Sequence, residues 1–418
     1  MLNTNSSIIG GNIPGSVIGS KPRDTISFLR PQSPQPQRIT PKTRPREVDM
    51  PRGINYYADF SGCGFWRMLW PEHTMNAYQR AVIHGSTVMV TDEKYYTNTK
   101  CVRVQRQATP SQQKFIEYLK RLGEKMKFSL VYEIDDIVFH EDIPDYNKFK
   151  GAFVDEAIKE ATTAMMSMCD EITVTCDYMK EYYINKTGNK NITVIPNYPP
   201  RYWLDQYDEL MIDKNYSKRK KKPRVLYAGS GAHFDVDNLA GQKDDFCHII
   251  DVVKKTVNKY QWVFIGAFPN GLRSLIQQGK IEFHPWTNLY EYPRLVKKIK
   301  PNVMVAPLVD NVFNRSKSDL KFVEGCAFGV PAICQDMCTY ENAHYKFKTG
   351  EEMVDQIDHV MKDKNTFMKA VRKGRVEAEK RWLENPDNLG KYVELYTLPY
   401  AHPDRKLLNS FNGVTPSS

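Results

Sequence analysis

The sequence predicts an α/β protein with two doubly wound halves, each a parallel sheet covered by helices on both faces, and a cleft between them. Three observations lead there. The chain has 418 residues, 41% apolar and 26% charged, enough for two cores of ordinary size. Short apolar runs alternate with segments of helical spacing, the signature of buried parallel strands and their crossover helices. The rhythm breaks near residue 200 and restarts near 223.

In the first half, GINYYADF (53–60) reads as a strand, and SGCGFWRMLWP turns into a helix through about Ile83. STVMVTD and CVRVQRQ are strand-like. SQQKFIEYLKRLGEKM (111–126) is amphipathic with helical spacing, and FSLVYEIDD (128–136) is a strand ending in acids. A helix at 154–168, the strand EITVTC, a helix at 177–186 and NITVIPN (191–197) complete a Rossmann-like domain over 53–200. Residues 201–222 read as a polar connection ending in the basic run KRKKK (218–222). The second domain, 223–378, opens with a strand and glycine turn, RVLYAGSGAH (224–233), followed by a helix at 244–260. WVFIG, KIEFHPW, NVMVAPL and PAICQD are its further strands. Residues 351–397 are helical, with Trp382 as an anchor, and 379–397 is expected to pack back on the first domain before a tail at 398–418. Such halves bind ligands at the carboxyl ends of their strands.

Charge adds a second line of inference. The net charge is +10, and residues 1–52 carry eight Lys and Arg against three acids. That segment is rich in Ser, Pro, Gly and Gln, and PQSPQPQ and TPKTRPRE hold neither helix nor central strand. It reads as a disordered basic arm: an inert solvated tail or a nucleic-acid-binding arm. KRKKK is likewise a solvated linker or an anion-binding run. Eight cysteines without CxxC pairs read as reduced thiols rather than a disulfide framework or a zinc site. No apolar run has membrane-spanning length, and the N-terminus has no signal-peptide core. The expectation is a cytoplasmic protein without stable membrane insertion.

The most informative stretch is NRSKSDLKFVEGCAFGVP (314–331). As a helix from Ser318 to Phe328, its apolar stripe is Leu320, Val323 and Ala327, yet Glu324 falls on that stripe. Burying an unpaired carboxylate costs several kcal/mol. Glu324 is therefore either an edge acid bonded to Lys321 or a pocket acid with a partner. Arg315, Ser316, Lys317 and Ser318 crowd the helix start, where free N–H groups and the dipole favour an anion. Lys321 lies one turn beyond Lys317. This layout offers cations to a diphosphate and, deeper in, a carboxylate to ribose hydroxyls.

These residues carry a resemblance. KFVEGCAFGVPAI resembles the K-x-x-E…G-x-P segment of GT-B glycosyltransferases of the retaining group that includes family 4. YAGSGAH resembles the first strand and loop of their donor domain, TVIPN (193–197) the close of their acceptor domain, and DFSGCGFWRMLWP (59–71) their N-terminal glycine-rich loop with its arginine. The similarity spans roughly 53–397. It implies a GT-B fold and a nucleotide diphosphosugar donor, UDP-glucose or UDP-arabinose first among them, with no metal or other cofactor. Glu324 would accept from the ribose, and Lys321, with Arg315 or Lys317, would neutralise the leaving diphosphate. Ser318 belongs to the same donor segment. Gly229, Ser230 and Gly231 would let the backbone approach the phosphates, and Gly62, Gly64 and Arg67 would face the diphosphate from the first domain. Arg67 read without the resemblance is a surface arginine. His233 reaches sugar or phosphate, or is polar turn surface. One position departs from the family: where a second glutamate stands near the donor sugar, this chain has Ser316.

Asp135 and Asp136 end a strand at the cleft. They orient an acceptor hydroxyl, act as base in an inverting reaction, or merely cap; their spacing does not fit a metal-binding D-x-D pair. Trp66, Trp70, Trp203 and Trp286 read as core or interface residues, with stacking on a sugar or base as the alternative. For the acceptor, the basic arm and linker suit double-stranded DNA. The chain is also similar to bacteriophage glycosyltransferases that modify 5-hydroxymethylcytosine, which would set it in the host cytoplasm. A polysaccharide or lipid acceptor, and a non-catalytic nucleic-acid-binding protein with a degenerate core, remain as alternatives.

Overall fold

The computed structural model describes residues 50–235 and 243–397. The predicted arm, up to residue 49, and the predicted tail lie outside the described residues. Among the described residues are two six-stranded sheets, parallel throughout. The first is built from β1 (Arg52–Tyr56), β2 (Val82–Ser86), β3 (Thr99–Gln105), β4 (Ser129–Glu133), β5 (Glu171–Val174) and β6 (Ile192–Val194), in the order β2-β1-β3-β4-β5-β6. The second is built from β7 (Arg224–Gly229), β8 (Gln261–Gly266), β9 (Glu282–Pro285), β10 (Val303–Ala306), β11 (Ala332–Gln335) and β12 (Tyr345–Phe347), in the order β12-β11-β10-β7-β8-β9. Its strand order reverses between β7 and β10, where Val303 pairs with Val225. Crevices at such reversals receive ligands.

Local chemistry explains the elements. The helix Pro110–Met126 starts in a capping box between Thr109 and Gln112, with Pro in its first turn, and ends at Lys127 in the left-handed conformation. Phe115, Ile116, Leu119 and Leu122 are its buried face. The helix Leu320–Phe328 ends at Gly329, whose φ of 68° only glycine adopts without strain.

Three expectations are corrected. The helix begun near Gly62 ends at Ala77 rather than Ile83, because VIHGS forms β2. STVMVTD is not a strand. β2 is an edge strand with one buried residue, so it lacks the apolar alternation by which strands are read. The helix expected over 244–260 is Ile250–Thr256, because the Asp244 side chain accepts from Phe246 N in a turn that holds Asp245 inward.

Residues 201–222, the polar connection, contain the helices Arg201–Leu204 and Glu209–Arg219. Trp203 is fully buried, stacked on Phe328 at 5.1 Å and edge-on to Trp66 at 5.0 Å, so it joins the two halves through one aromatic cluster. Tyr216 stacks on Phe367 of the second half. The run 218–222 precedes β7 and so lies at the amino end of that strand, opposite the cleft.

The chain finally returns to the first sheet. Pro386–Thr397 lays Tyr396 on β1, where its hydroxyl donates to Asn55 Oδ1 at 2.6 Å. A Cβ on Gly53 would stand 2.4 Å from the Tyr396 ring, so the strand needs glycine there. No described helix is long and apolar enough to cross a membrane.

Candidate functional site

The carboxyl ends of the two sheets face a cavity of about 260 Å³. Gly62, Cys63, Trp66, Asp135, Asp136 and Asn197 line it from the first half. The second half contributes Gly229, Ser230 and His233 from the turn after β7, and Lys317, Ser318, Lys321 and Glu324 from the segment after β10.

Glu324 is 8% exposed and accepts a hydrogen bond from the Tyr292 hydroxyl at 3.2 Å. Burial holds its carboxyl up at about 7, against Lys321 and the Tyr292 bond, which favour the charged form. Lys321 reaches from the same helix to the end of β7 and donates to the Ala228 carbonyl at 2.5 Å. Burial lowers its pKa below that of an ordinary lysine. The carboxylate on the apolar stripe is thus a cavity acid with a cation and a hydroxyl beside it. The helix itself starts at Leu320, two residues later than predicted, and Asp319 just before it pairs with both Nη atoms of Arg381 at 2.9 Å.

Lys317 spans the cleft: its Nζ is 3.7 Å from Asp136 Oδ1 and 4.3 Å from the Phe313 ring centre. Ser318 Oγ accepts from Asn197 Nδ2 at 3.0 Å, a second link between the halves. Asp135 pairs with Arg106 at 3.6 Å. Ser230 Oγ accepts from Ala232 N at 3.3 Å, which closes the glycine turn into a single 3-10 turn, Gly231–His233.

Four predicted residues stand apart from the cavity. Arg315 points outward and pairs with Asp310 through two bonds, at 2.6 and 2.8 Å. Gly231 is buried behind the turn, next to Lys148. Gly64 is buried against Asp59, where a Cβ would clash with the carbonyl oxygen. Arg67 is neither at the surface nor in the cavity. A π-helical turn, Phe65–Leu69, carries it into the core, fully buried. There Nε donates to Glu133 Oε1 at 2.6 Å and Nη1 to Asn197 Oδ1 at 3.1 Å, while Arg103 holds the other Glu133 oxygen at 2.5 Å. Arg67 therefore steadies Asn197, and through it Ser318, from below.

Sequence reasoning missed Tyr292, Asn197 and Asp245, whose partners lie far away along the chain. Of the four tryptophans read as core or interface residues, with stacking on a sugar or base as the alternative, Trp66, Trp70 and Trp203 are buried and Trp286 is 58% exposed and lines the cavity. Among the described residues, no group of three or more His, Cys, Asp or Glu is arranged to hold a metal ion.

No protein-family model matches the chain, and no curated protein does either. Solved structures do. HepE from Anabaena, crystallised with UDP, superposes with a TM-score of 0.56 at 10% identity, over 83% of this chain and 99% of that one. A glycosyltransferase from Rickettsia africae gives 0.57 at 11%, over 83% and 98%. Sucrose-phosphate synthase from Thermosynechococcus elongatus gives 0.53 at 12%, over 86% and 100%. The architecture of two parallel sheets facing across a cleft is the GT-B fold. Identities this low establish the fold and leave function to the site.

Proposed function

We propose that this protein is a glycosyltransferase that uses a nucleotide diphosphosugar, UDP-glucose or UDP-arabinose first among them, and moves the sugar to a hydroxyl acceptor. One observation carries the reading: Lys321 and Glu324, one turn apart on Leu320–Phe328, line the cleft cavity beside the Gly229–Ser230 turn. Glu324 accepts hydrogen bonds from the ribose hydroxyls, since an ionised carboxylate is satisfied only by donors. Lys321 and Lys317 meet the negative charge that grows on the diphosphate as the sugar bond breaks. On this reading the two lysines supply the counter-charge, and no divalent ion is needed. Trp286 offers an exposed ring to the base. The HepE crystals with UDP and with UDP-glucose support a uridine donor in this fold.

Asp136 lines the cavity, and its Oδ1 has no hydrogen bond among the described residues, with Lys317 Nζ 3.7 Å away; this carboxylate orients the incoming hydroxyl, or takes its proton if the reaction inverts. The resemblance of KFVEGCAFGVPAI favours retention of configuration. For the acceptor we favour 5-hydroxymethylcytosine in DNA, on the basic surplus of residues 1–52 and 218–222. The lysines at 218–222 sit at the amino end of β7, opposite the cleft, so on this reading they would hold duplex that flanks the target nucleotide. A second reading, a nucleic-acid-binding protein with an inactive core, draws on Ser316. It is fully buried and donates to the Phe313 carbonyl at 2.7 Å, so it offers the sugar nothing.

The test incubates the purified protein with UDP-sugars and DNA, with and without 5-hydroxymethylcytosine, then digests to nucleosides for mass spectrometry. A sugar mass on the hydroxymethylated nucleoside alone supports both donor and acceptor. Donor hydrolysis without an adduct keeps the transferase and directs the search to polysaccharide or lipid acceptors. UDP binding without hydrolysis or transfer favours the inactive core.

A further inference from the structure

With Ser316 turned into the core, the donor sugar lacks the carboxylate that the resemblance would bring to it. The structure has another buried carboxylate close to the cavity. Asp245, 2% exposed, makes four hydrogen bonds. Its Oδ1 takes the Tyr146 hydroxyl at 3.0 Å, Asn314 Nδ2 at 2.6 Å and Val309 N at 3.0 Å. Its Oδ2 stands 2.6 Å from His233 Nδ1.

The last contact fixes the chemistry of the ring. A carboxylate held by three other donors accepts, so His233 Nδ1 carries the proton and Nε2 keeps its lone pair. His233 lines the cavity with Nδ1 already engaged, so Nε2 is the nitrogen it can offer there. A neutral nitrogen acceptor does not bind a phosphate oxygen, which has no proton to give. It binds a hydroxyl. Two residues before His233 the chain makes the turn assigned to the phosphates, and the next hydroxyls along a nucleotide diphosphosugar are those of the sugar.

We propose that His233, oriented by Asp245, is the acceptor for a hydroxyl of the donor sugar and so a determinant of which sugar is used. Asp245 acts as a positioning residue. It ties the histidine to Asn314, at the start of the segment that bears Lys317 and Lys321, and to Tyr146 of the facing domain. The sugar subsite is therefore complete only with the two domains in this arrangement. The proposal rests on the nucleotide-sugar reading of the cleft.

The experiment measures by calorimetry the binding of UDP, UDP-glucose, UDP-galactose and UDP-arabinose to the wild type, H233A, H233Q and D245N. One UDP-sugar is expected to bind the wild type more tightly than UDP. That preference should fall roughly tenfold in H233A, the loss of one buried hydrogen bond, while UDP affinity stays within about twofold. H233Q, which keeps an acceptor at a similar reach, should recover part of it. D245N, whose amide can donate to Nδ1 and move the proton to Nε2, should lose it like H233A. Unchanged UDP binding also certifies that each variant is folded. A preference unaltered in H233A, or no UDP-sugar bound better than UDP by the wild type, overturns the proposal. Failure of UDP itself to bind the wild type removes instead the donor-site reading beneath it.

Discussion

Lys317 and Asp136 face each other across the cleft, Nζ to Oδ1 at 3.7 Å, one from each domain. Both side chains are partly exposed, so the pair is a weak latch rather than a structural bridge. A bound diphosphate would draw Lys317 away from Asp136, and a bound acceptor would take the carboxylate. Domain arrangement and ligand occupancy thus share one ion pair.

The D136N variant should separate these roles. Relieved of its partner, Lys317 binds UDP a few-fold more tightly, while sugar transfer falls at least tenfold for want of the carboxylate that orients the acceptor hydroxyl. Calorimetry and a UDP-release assay check both. Weaker UDP binding together with full transfer would contradict the assignment.

Lys321 is expected to matter most to the chemical step. Its ammonium already leans on the Ala228 carbonyl at the end of β7, so it is held in place before a substrate arrives. Replacing it by Met keeps the buried stem and removes the charge. Transfer should drop by about 10²–10³, the usual effect of losing one preorganised group that stabilises a developing anion. Single-turnover kinetics at saturating donor is the measurement.

Glu324 should leave a signature in pH. Its folded value of about 7 lies above the ordinary 4.5, so the fold favours the protonated form. The stability it contributes is complete below about pH 4.5 and lost as pH rises through 7. E324Q should therefore match the wild type in Tm at pH 4.5 and exceed it at pH 8, without nucleotide. Binding has the opposite sign. Ribose hydroxyls need the carboxylate, so wild-type affinity for UDP-glucose should rise from pH 6 to 8, and E324Q should be weaker and flat.

The Arg67–Glu133–Arg103 cluster makes a prediction about stability alone. All three side chains are fully buried. E133Q leaves two guanidinium groups without their counter-charge, and removing one partner of a buried ion pair costs about 3–5 kcal/mol. Urea denaturation should register that loss.

What was legible in the sequence was local. Lys321 and Glu324 fall on one face because helical spacing alone brings i and i+3 together. The AGSG turn is visible because β7 must end in residues that allow a tight reversal, and the strands of both sheets interiors are visible as apolar runs. β2 was missed because an edge strand with one buried residue has no such run. Arg67 was misread because a π turn, not an ordinary helix, sets which way it points.

By itself, then, the sequence determined two doubly wound halves and the helix that brings a lysine and a glutamate to the cleft, since periodicity and turn chemistry act over a few residues. Only the tertiary structure decided which charges serve that cleft. Arg315 is drawn off by Asp310 five residues away, Arg67 by Glu133 sixty-six away, and His233 is given its tautomer by Asp245, itself held by Tyr146 and Asn314. A buried charge takes whichever partner the fold brings within hydrogen-bond reach: Arg67 meets Glu133 only when the first half folds, and Asp245 meets Tyr146 only when the two halves pack.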